Sequence, residues 1–287
     1  MFVCPDCKTG LDGLFCSECK SQFEEVGGIP ILLSRDPRYR DAATIGSVYD
    51  DVYKERTGVW EDQGRTAEFL SYFSELAESF SAKSVLEIGC GEGFLLSRLR
   101  AERLTAVDLS HQALARTQAR VPGATSCVAL AERLPFQSEG FDLVVSVGVM
   151  EHFLDDREAT TEIRRVLRMG GHYIALIHVH ASFWENVRQK VREYVYPKLR
   201  PIALVKWMAK KVIRPISQPI QRPYTRETAR KCFEECGFKV KEIVGTLTHR
   251  SVPLIGPHVL IFVSQKTQGE VSGRLEAERN QEKRRQE

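Results

Sequence analysis

An open α/β sheet with a small cysteine-rich module ahead of it is the fold class this sequence predicts, and three observations predict it. A short apolar stretch, Ser84–Ile88, runs into Gly89-Cys90-Gly91-Glu92-Gly93 and then a segment of helical character, Phe94–Arg100. Further apolar stretches of strand length follow at Leu104–Val107, Phe141–Val145, Tyr173–Val179, Phe238–Val244 and His258–Val263, with polar segments between them. Cys4-Pro5-Asp6-Cys7 and Cys16-Ser17-Glu18-Cys19 form two C-x2-C pairs near the start. A length of 287 residues accommodates one α/β domain and one small appendage.

Composition narrows the class. The chain is 43% hydrophobic and 28% charged, ordinary for a globular protein, and its net charge of +3 is too small to argue for nucleic acid. The longest apolar runs, Phe141–Met150 and Val252–Val263, fall short of the roughly 18 residues that span a bilayer. No basic segment followed by an apolar one opens the sequence, so a cytoplasmic protein with reduced thiols is expected.

Cys4, Cys7, Cys16 and Cys19 are all the cysteines of the first 89 residues. Two such pairs can make two tight knuckles aimed at one ion, and four thiolates satisfy the closed tetrahedral geometry of structural Zn2+. A module of about 35 residues cannot bury a sufficient core alone, so the metal would supply folding free energy. Cys4 to Leu33, ending in Gly27-Gly28-Ile29-Pro30-Ile31-Leu32-Leu33, resembles the Trm112-like zinc-ribbon family, small partners of methyltransferases. The resemblance implies that the module docks a protein partner, shapes the active-site wall or stabilises the fold.

The glycine segment is a ligand-binding signature. Glycines let backbone approach a ligand closely, and a carboxylate at the end of the next strand, here Asp108, is where a ribose diol is usually held. A dinucleotide-binding G-x-G-x-x-G is excluded because its third glycine falls on Phe94. Val85–Gly93, Asp108, Ala131–Phe136, Phe141–Val145 and Arg165–Gly171 together resemble the class I S-adenosylmethionine-dependent methyltransferases, specifically the ubiquinone/menaquinone-type small-molecule group. The resemblance implies a Rossmann-like sheet of seven strands in the order 3-2-1-4-5-7-6. It also implies S-adenosyl-L-methionine as cofactor, with Glu87, Gly89, Gly91 and Gly93 at its methionine end and Asp108 on the ribose. Ala131 and Glu132 would lie beside the adenine, and Ser146 would wall the pocket. Tyr49 and Tyr53 sit where such enzymes carry an aromatic lid. The family's usual acidic residue before the Ala-Glu pair is replaced by Leu130, and the usual proline before the paired glycines by Met169.

The expected layout is a zinc ribbon (1–35), a linker and lid (36–61), and a cofactor-binding core (62–182). A basic helical insertion that caps the substrate (183–222), the remainder of the methyltransferase domain (223–266) and a charged tail (267–287) follow. Helices are expected at Asp62–Phe80, from an Asp155/Glu158 capping box through Leu167 up to Gly170-Gly171, and from Thr225 to Gly237. Residues 183–222 hold ten Lys or Arg against Glu185 and Glu193, with apolar faces through Phe183, Val187, Val191 and Tyr194 and through Leu204, Met208 and Val212. That pattern suits a substrate cap or a peripheral contact with an anionic inner membrane face. Nucleic acid is disfavoured, because no stacking aromatics alternate with the basic residues.

Methyl transfer asks the protein to align a nucleophile and remove a proton. His152, His178 and His180, at the ends of the fourth and fifth expected strands, are the candidate bases, in that order. The expected acceptor is a small or lipid-linked molecule methylated on oxygen or carbon. An RNA methyltransferase is the alternative enzyme, lacking here the Asn-Pro-Pro-Tyr-type motif. A non-catalytic cofactor-binding scaffold is the alternative outside catalysis.

Overall fold

The computed structural model describes residues 2–55, 67–179, 220–243 and 258–267. His180, Trp60, residues 183–219 of the basic segment and the charged tail from 268 lie outside the described residues. Among the described residues, nine strands form one sheet. In chain order they are β1 (Glu24–Val26), β2 (Ile29–Ile31), β3 (Ser84–Ile88), β4 (Arg103–Asp108), β5 (Thr125–Val128), β6 (Phe141–Val147), β7 (Leu167–Val179), β8 (Phe238–Ile243) and β9 (His258–Lys266). The helices are α1 (Ala42–Glu55), α2 (Ala67–Glu78), α3 (His111–Arg120), α4 (Asp156–Val166) and α5 (Arg226–Glu235).

The strand order is β1-β2-β5-β4-β3-β6-β7-β9-β8. Counted from β3, the last seven are the expected 3-2-1-4-5-7-6. Strands β5, β4, β3, β6 and β7 are parallel, and β9 runs antiparallel between β7 and β8. The two extra strands are a hairpin of the N-terminal module, which reaches the sheet edge through Ile31 beside Val128 and a Leu32 N–H donated to Val128 O at 2.8 Å.

Strand periodicity divides the core between two faces. Leu86 and Ile88 of β3 pack with α4 and α5 residues such as Ile163 and Phe233. Val85 points the other way, with Phe73 and Ala77 of α2 and Leu114 of α3. Phe233 is fully buried among Tyr173, Phe238 and Phe262, with ring centroids 5.4–6.2 Å away. Its truncation to Ala would cost about 3–5 kcal/mol. Cys4, Leu11, Cys16, Phe23 and Leu32 of the N-terminal module belong to the α4/α5 face of this same core. Phe2 against Phe136 and a 2.7 Å ion pair from Lys8 to Glu162 of α4 add to the contact.

Three local expectations are corrected. Phe94–Arg100 is a turn followed by a single 3-10 turn at Leu96–Arg98, ahead of β4 at Arg103. Gly170 and Gly171 do not end α4, which stops at Val166 with Leu167 already extended. They lie inside β7, where a Cβ on Gly171 would meet Asp142 O at 3.0 Å. The capping box of α4 is half present. Asp155 accepts from the N–H groups of Arg157 and Glu158, but Glu158 turns to Tyr39, Arg38 and Arg133 instead of back to the cap. The cap's own N–H is taken by Glu132.

Candidate functional site

The site grows from the carboxyl end of β3. The Glu87 side chain, at the strand's end, is 3% exposed. Burial pushes its pKa well above the ordinary carboxylate range, opposed by a hydrogen bond from the Leu96 N–H. Its Oε2 is buried without a hydrogen-bond partner. The chain then turns at Gly89, whose φ is +64° and whose missing Cβ would stand 2.4 Å from Val149 Cγ2. Only glycine satisfies both constraints. The N–H groups of Gly89 and Cys90 both donate to Val107 O, which ties the turn to the end of β4.

Asp108 at that end completes the loop. Its Oδ2 accepts from the Gly91 N–H and its Oδ1 from the Ser110 N–H, both at 2.9 Å. Burial raises its pKa against those same backbone bonds. With the Leu109 N–H bonding it as well, the carboxylate still has at least one lone-pair direction left for a donor from a ligand.

Helix α1 closes over this end of the sheet. Gly46 lets it approach the turn after β4 so closely that a Cβ would be 2.7 Å from Leu109 O. Asp50, which the sequence reading missed, accepts from Ser110 Oγ at 2.6 Å and from the Gln112 N–H at 3.0 Å, at the start of α3. The Tyr49 phenol is pushed up to about 12, by burial first and then by the negative fields of Asp108 and Glu151. Tyr49 packs, partly buried, against Tyr53 and Ala113 of α3. Tyr53 is itself buried there, and its carbonyl accepts from Arg116.

Three other predicted lining residues turn their side chains inward. Glu132, 1% exposed, accepts from the Asp155 N–H at 3.1 Å and also from backbone N–H groups of Leu154 and Glu132 itself. It pins the start of α4, and burial raises its pKa to about 7. Ser146 exchanges its hydroxyl hydrogen bond with Tyr173 at 2.9 Å inside the core. Ala131 is buried in the α4-side cluster. Leu130, the departure from the family pattern, is 2% exposed and packs with Tyr39 and Ala42, anchoring the segment that leads into α1.

Beyond β6, the turn Met150–His152 and the end of β7 bring two candidate histidines into different surroundings. His152 Nδ1 lies 2.5 Å from Ile220 O. His178 Nδ1 lies 2.5 Å from Oε1 of Glu151, which is 3% exposed. Burial drives the Glu151 carboxyl upward, but the bonded His178 imidazole prevails and holds it below its ordinary value. Glu151 was missed because the sequence shows it only as the neighbour of His152. Its pairing with a residue 27 positions away depends on β6 and β7 lying side by side.

In the N-terminal module, two knuckles repeat one geometry. Cys4 N–H donates to Thr9 O and Cys16 N–H to Ser21 O, both at 2.8 Å. Lys8 and Lys20, each following the second cysteine of its pair, have φ of 62° and 58°. The four Sγ atoms lie within 4.8 Å of one another, and Cys4 Sγ is 3.7 Å from Cys19 Sγ. Thiolates around a tetrahedral zinc stand about 3.8 Å apart, given Zn–S bonds of about 2.3 Å.

Residues 86–175 match the family described as "Methyltransferase domain". The chain is 34% identical over 147 residues to the 2-methyl-6-phytyl-1,4-hydroquinone methyltransferase 2 of Oryza sativa, covering 49% of this chain and 40% of that protein. It is 35% identical over 97 residues to the phthiotriol/phenolphthiotriol dimycocerosates methyltransferase of Mycobacterium tuberculosis, covering 32% and 36%. The chain thus spans about two fifths of the length of these curated relatives. Among solved structures, an S-adenosylmethionine-dependent methyltransferase of Thermotoga maritima superposes with a TM-score of 0.53 at 18% identity, covering 78% of this chain and 100% of that one. A chain from the Haloferax volcanii complex between the Trm112 methyltransferase activator and a methyltransferase gives 0.53 at 16% identity, covering 79% and 99%. These two likenesses show the fold. Over residues 86–175 the chain is thus similar to the methyltransferase-domain family, within a fold shared with S-adenosylmethionine-dependent methyltransferases of known structure.

Proposed function

We propose that the protein binds S-adenosyl-L-methionine and transfers its methyl group to oxygen or carbon of a small or lipid-linked acceptor. The observation that carries this reading is Asp108 clamping the glycine loop while Glu87 Oε2, buried and without a partner, faces no protein donor. The residues fit the cofactor. Asp108 would accept from the ribose hydroxyls, Glu87 from the ammonium of the methionine moiety, and the backbone at Gly89, Gly91 and Gly93 would leave room for the chain between them. The backbone at Ala131 and Ser146 would line the pocket, with Tyr49 beside it. When bound, the sulfonium supplies an electrophilic methyl group. The protein's part is to hold the acceptor in line, exclude water and take a proton, with His152, His178 and His180 as candidate bases. The names of the relatives, a quinol methyltransferase and a phthiotriol methyltransferase, support the lipid-linked class.

The test is calorimetry with S-adenosylhomocysteine, followed by labelling of a cell extract with methyl-labelled S-adenosylmethionine. Asp108→Ala should weaken binding by the loss of charge-assisted bonds worth about 1.5–3 kcal/mol, roughly ten- to 150-fold. Unchanged affinity in that variant would remove the ribose role.

The same reading gives the N-terminal thiols one structural Zn2+, held by Cys4, Cys7, Cys16 and Cys19 and available to organise a protein partner. Elemental analysis of protein purified without chelator should find one equivalent. It also places the protein in the cytoplasm, with residues 183–222 meeting an anionic inner membrane face. Among the described residues no helix is long and apolar enough to cross a membrane. Sedimentation with anionic vesicles at low salt and release at high salt would support that contact. Preference for RNA with a steep salt slope would replace it.

A further inference from the structure

We infer that Arg116 of α3 is a positioning residue for the cofactor, the joint that makes the glycine loop and the end of helix α1 one unit. The inference rests on the methyltransferase reading above and deepens it: occupancy of the glycine loop is coupled, through Arg116, to the order of α1.

The argument begins in the loop. Gly91 and Gly93 have φ of +54° and +73°, and between them stands Glu92, whose side chain is 3% exposed. A carboxylate buried in a loop that must meet a ligand needs a cation, and Arg116 supplies it, with Nη1 2.7 Å from Glu92 Oε1. The same guanidinium reaches a second element. Its Nη2 donates to the carbonyl of Tyr53 in the last turn of α1, and its centre stands 5.9 Å from the Tyr53 ring centroid. The planar fork of arginine makes one rigid group serve both partners.

Neighbouring positions of α3 hold the rest of the loop. Thr117 Oγ1 donates to Gly91 O at 2.8 Å, and a Cβ on Gly93 would come within 2.9 Å of Thr117 Cγ2. Arg120 Nε donates to Glu92 O at 2.8 Å, and its guanidinium lies 3.7 Å from the Phe94 ring centroid. Those contacts bind the loop to α3 alone, whereas Arg116 carries the connection on to α1. A second tie lies one turn earlier, where Asp50 accepts from Ser110 Oγ and from the Gln112 N–H. Both ties end on groups that fix the loop, Glu92 directly and Asp108 through Ser110. A ligand that steadies the loop therefore steadies α1, and linkage makes the reverse hold equally.

The experiment measures S-adenosylhomocysteine affinity by calorimetry and amide exchange of residues 52–55 with and without that ligand. It compares wild type with Arg116→Gln, Arg116→Lys, Glu92→Gln and the Glu92→Gln/Arg116→Gln double variant. In wild type the ligand should slow exchange at 52–55. Arg116→Gln should bind about tenfold more weakly and lose that slowing. Arg116→Lys should recover part of both, because one ammonium cannot reproduce the fork. The double variant should bind no worse than Arg116→Gln, since the two residues act through one contact. Glu92→Gln, which keeps an oxygen for Arg116, should lose less than Arg116→Gln and gives the readout if the latter does not fold. Wild-type affinity in Arg116→Gln overturns the inference. So does weaker binding with the ligand-induced slowing retained, which would make Arg116 a support of the fold only. Absence of any slowing in a wild type that binds overturns the coupling while the methyltransferase reading stands. Failure of the wild type to bind S-adenosylhomocysteine overturns that reading and the inference with it.

Discussion

Asp50 of α1 accepts the hydroxyl of Ser110 at 2.6 Å, and the backbone N–H of Ser110 is in turn held by Asp108. One residue at the start of α3 thus couples α1 to the carboxylate that clamps the glycine loop. Asp50→Ala should free α1 at the cost of about 1.5–3 kcal/mol of hydrogen bonding to a charged group. The expected result is weaker S-adenosylhomocysteine binding and faster amide exchange across residues 42–55. Unchanged exchange in α1 would show that Gly46 and Tyr53 suffice to hold it.

Gly89→Ala should be among the most damaging changes to the site. A non-glycine residue at φ +64° costs roughly 1–2 kcal/mol, and the added Cβ would overlap Val149. The prediction is lost cofactor binding with a lowered melting temperature. Gly123→Ala, where a Cβ meets nothing within 4 Å, is the control and should leave both unchanged.

If the four N-terminal thiols hold Zn2+, its removal should reach the whole domain. Cys4 and Cys16 are fully buried in the cluster that includes Leu86 and Val107, so the module has no core of its own to lose. Cys4→Ser, or chelator, should lower the single melting transition and not create a separate early one. A distinct low-temperature transition with the main one unmoved would contradict this.

Glu132 makes stability depend on pH with a definite sign. Its pKa is raised by burial to about 7 from an ordinary 4.5, so between those values the folded state holds the extra proton. Stability from this group is present below 4.5 and declines as pH rises to 7, by on the order of 3 kcal/mol. Glu132→Gln should flatten that decline in chemical denaturation curves taken from pH 5 to 8. An unaltered slope would remove the assignment.

Much of the fold was legible because it is written locally. Apolar runs of strand length, the Asp155 and Thr225 caps and the glycine turn each depend on a few adjacent residues, and β3, α4 and α5 stand where those signals put them. The family pattern then supplied the strand order. Glu87 and Asp108 were legible because a strand end and its following turn stay together in any such sheet.

What the tertiary structure alone decided are relationships across sequence distance. The line of residues does not show that Glu151 meets His178, that Asp50 meets Ser110, or that Glu132 turns from the crevice to the start of α4. Nor does it show that the cysteine module adds a hairpin to the sheet and shares its core. Each depends on which side a side chain leaves its backbone and on what burial has brought opposite it. Charge and hydrogen-bonding chemistry come with the residue type, but whether a carboxylate clamps a loop, orients a histidine or caps a helix is set by its neighbour in space.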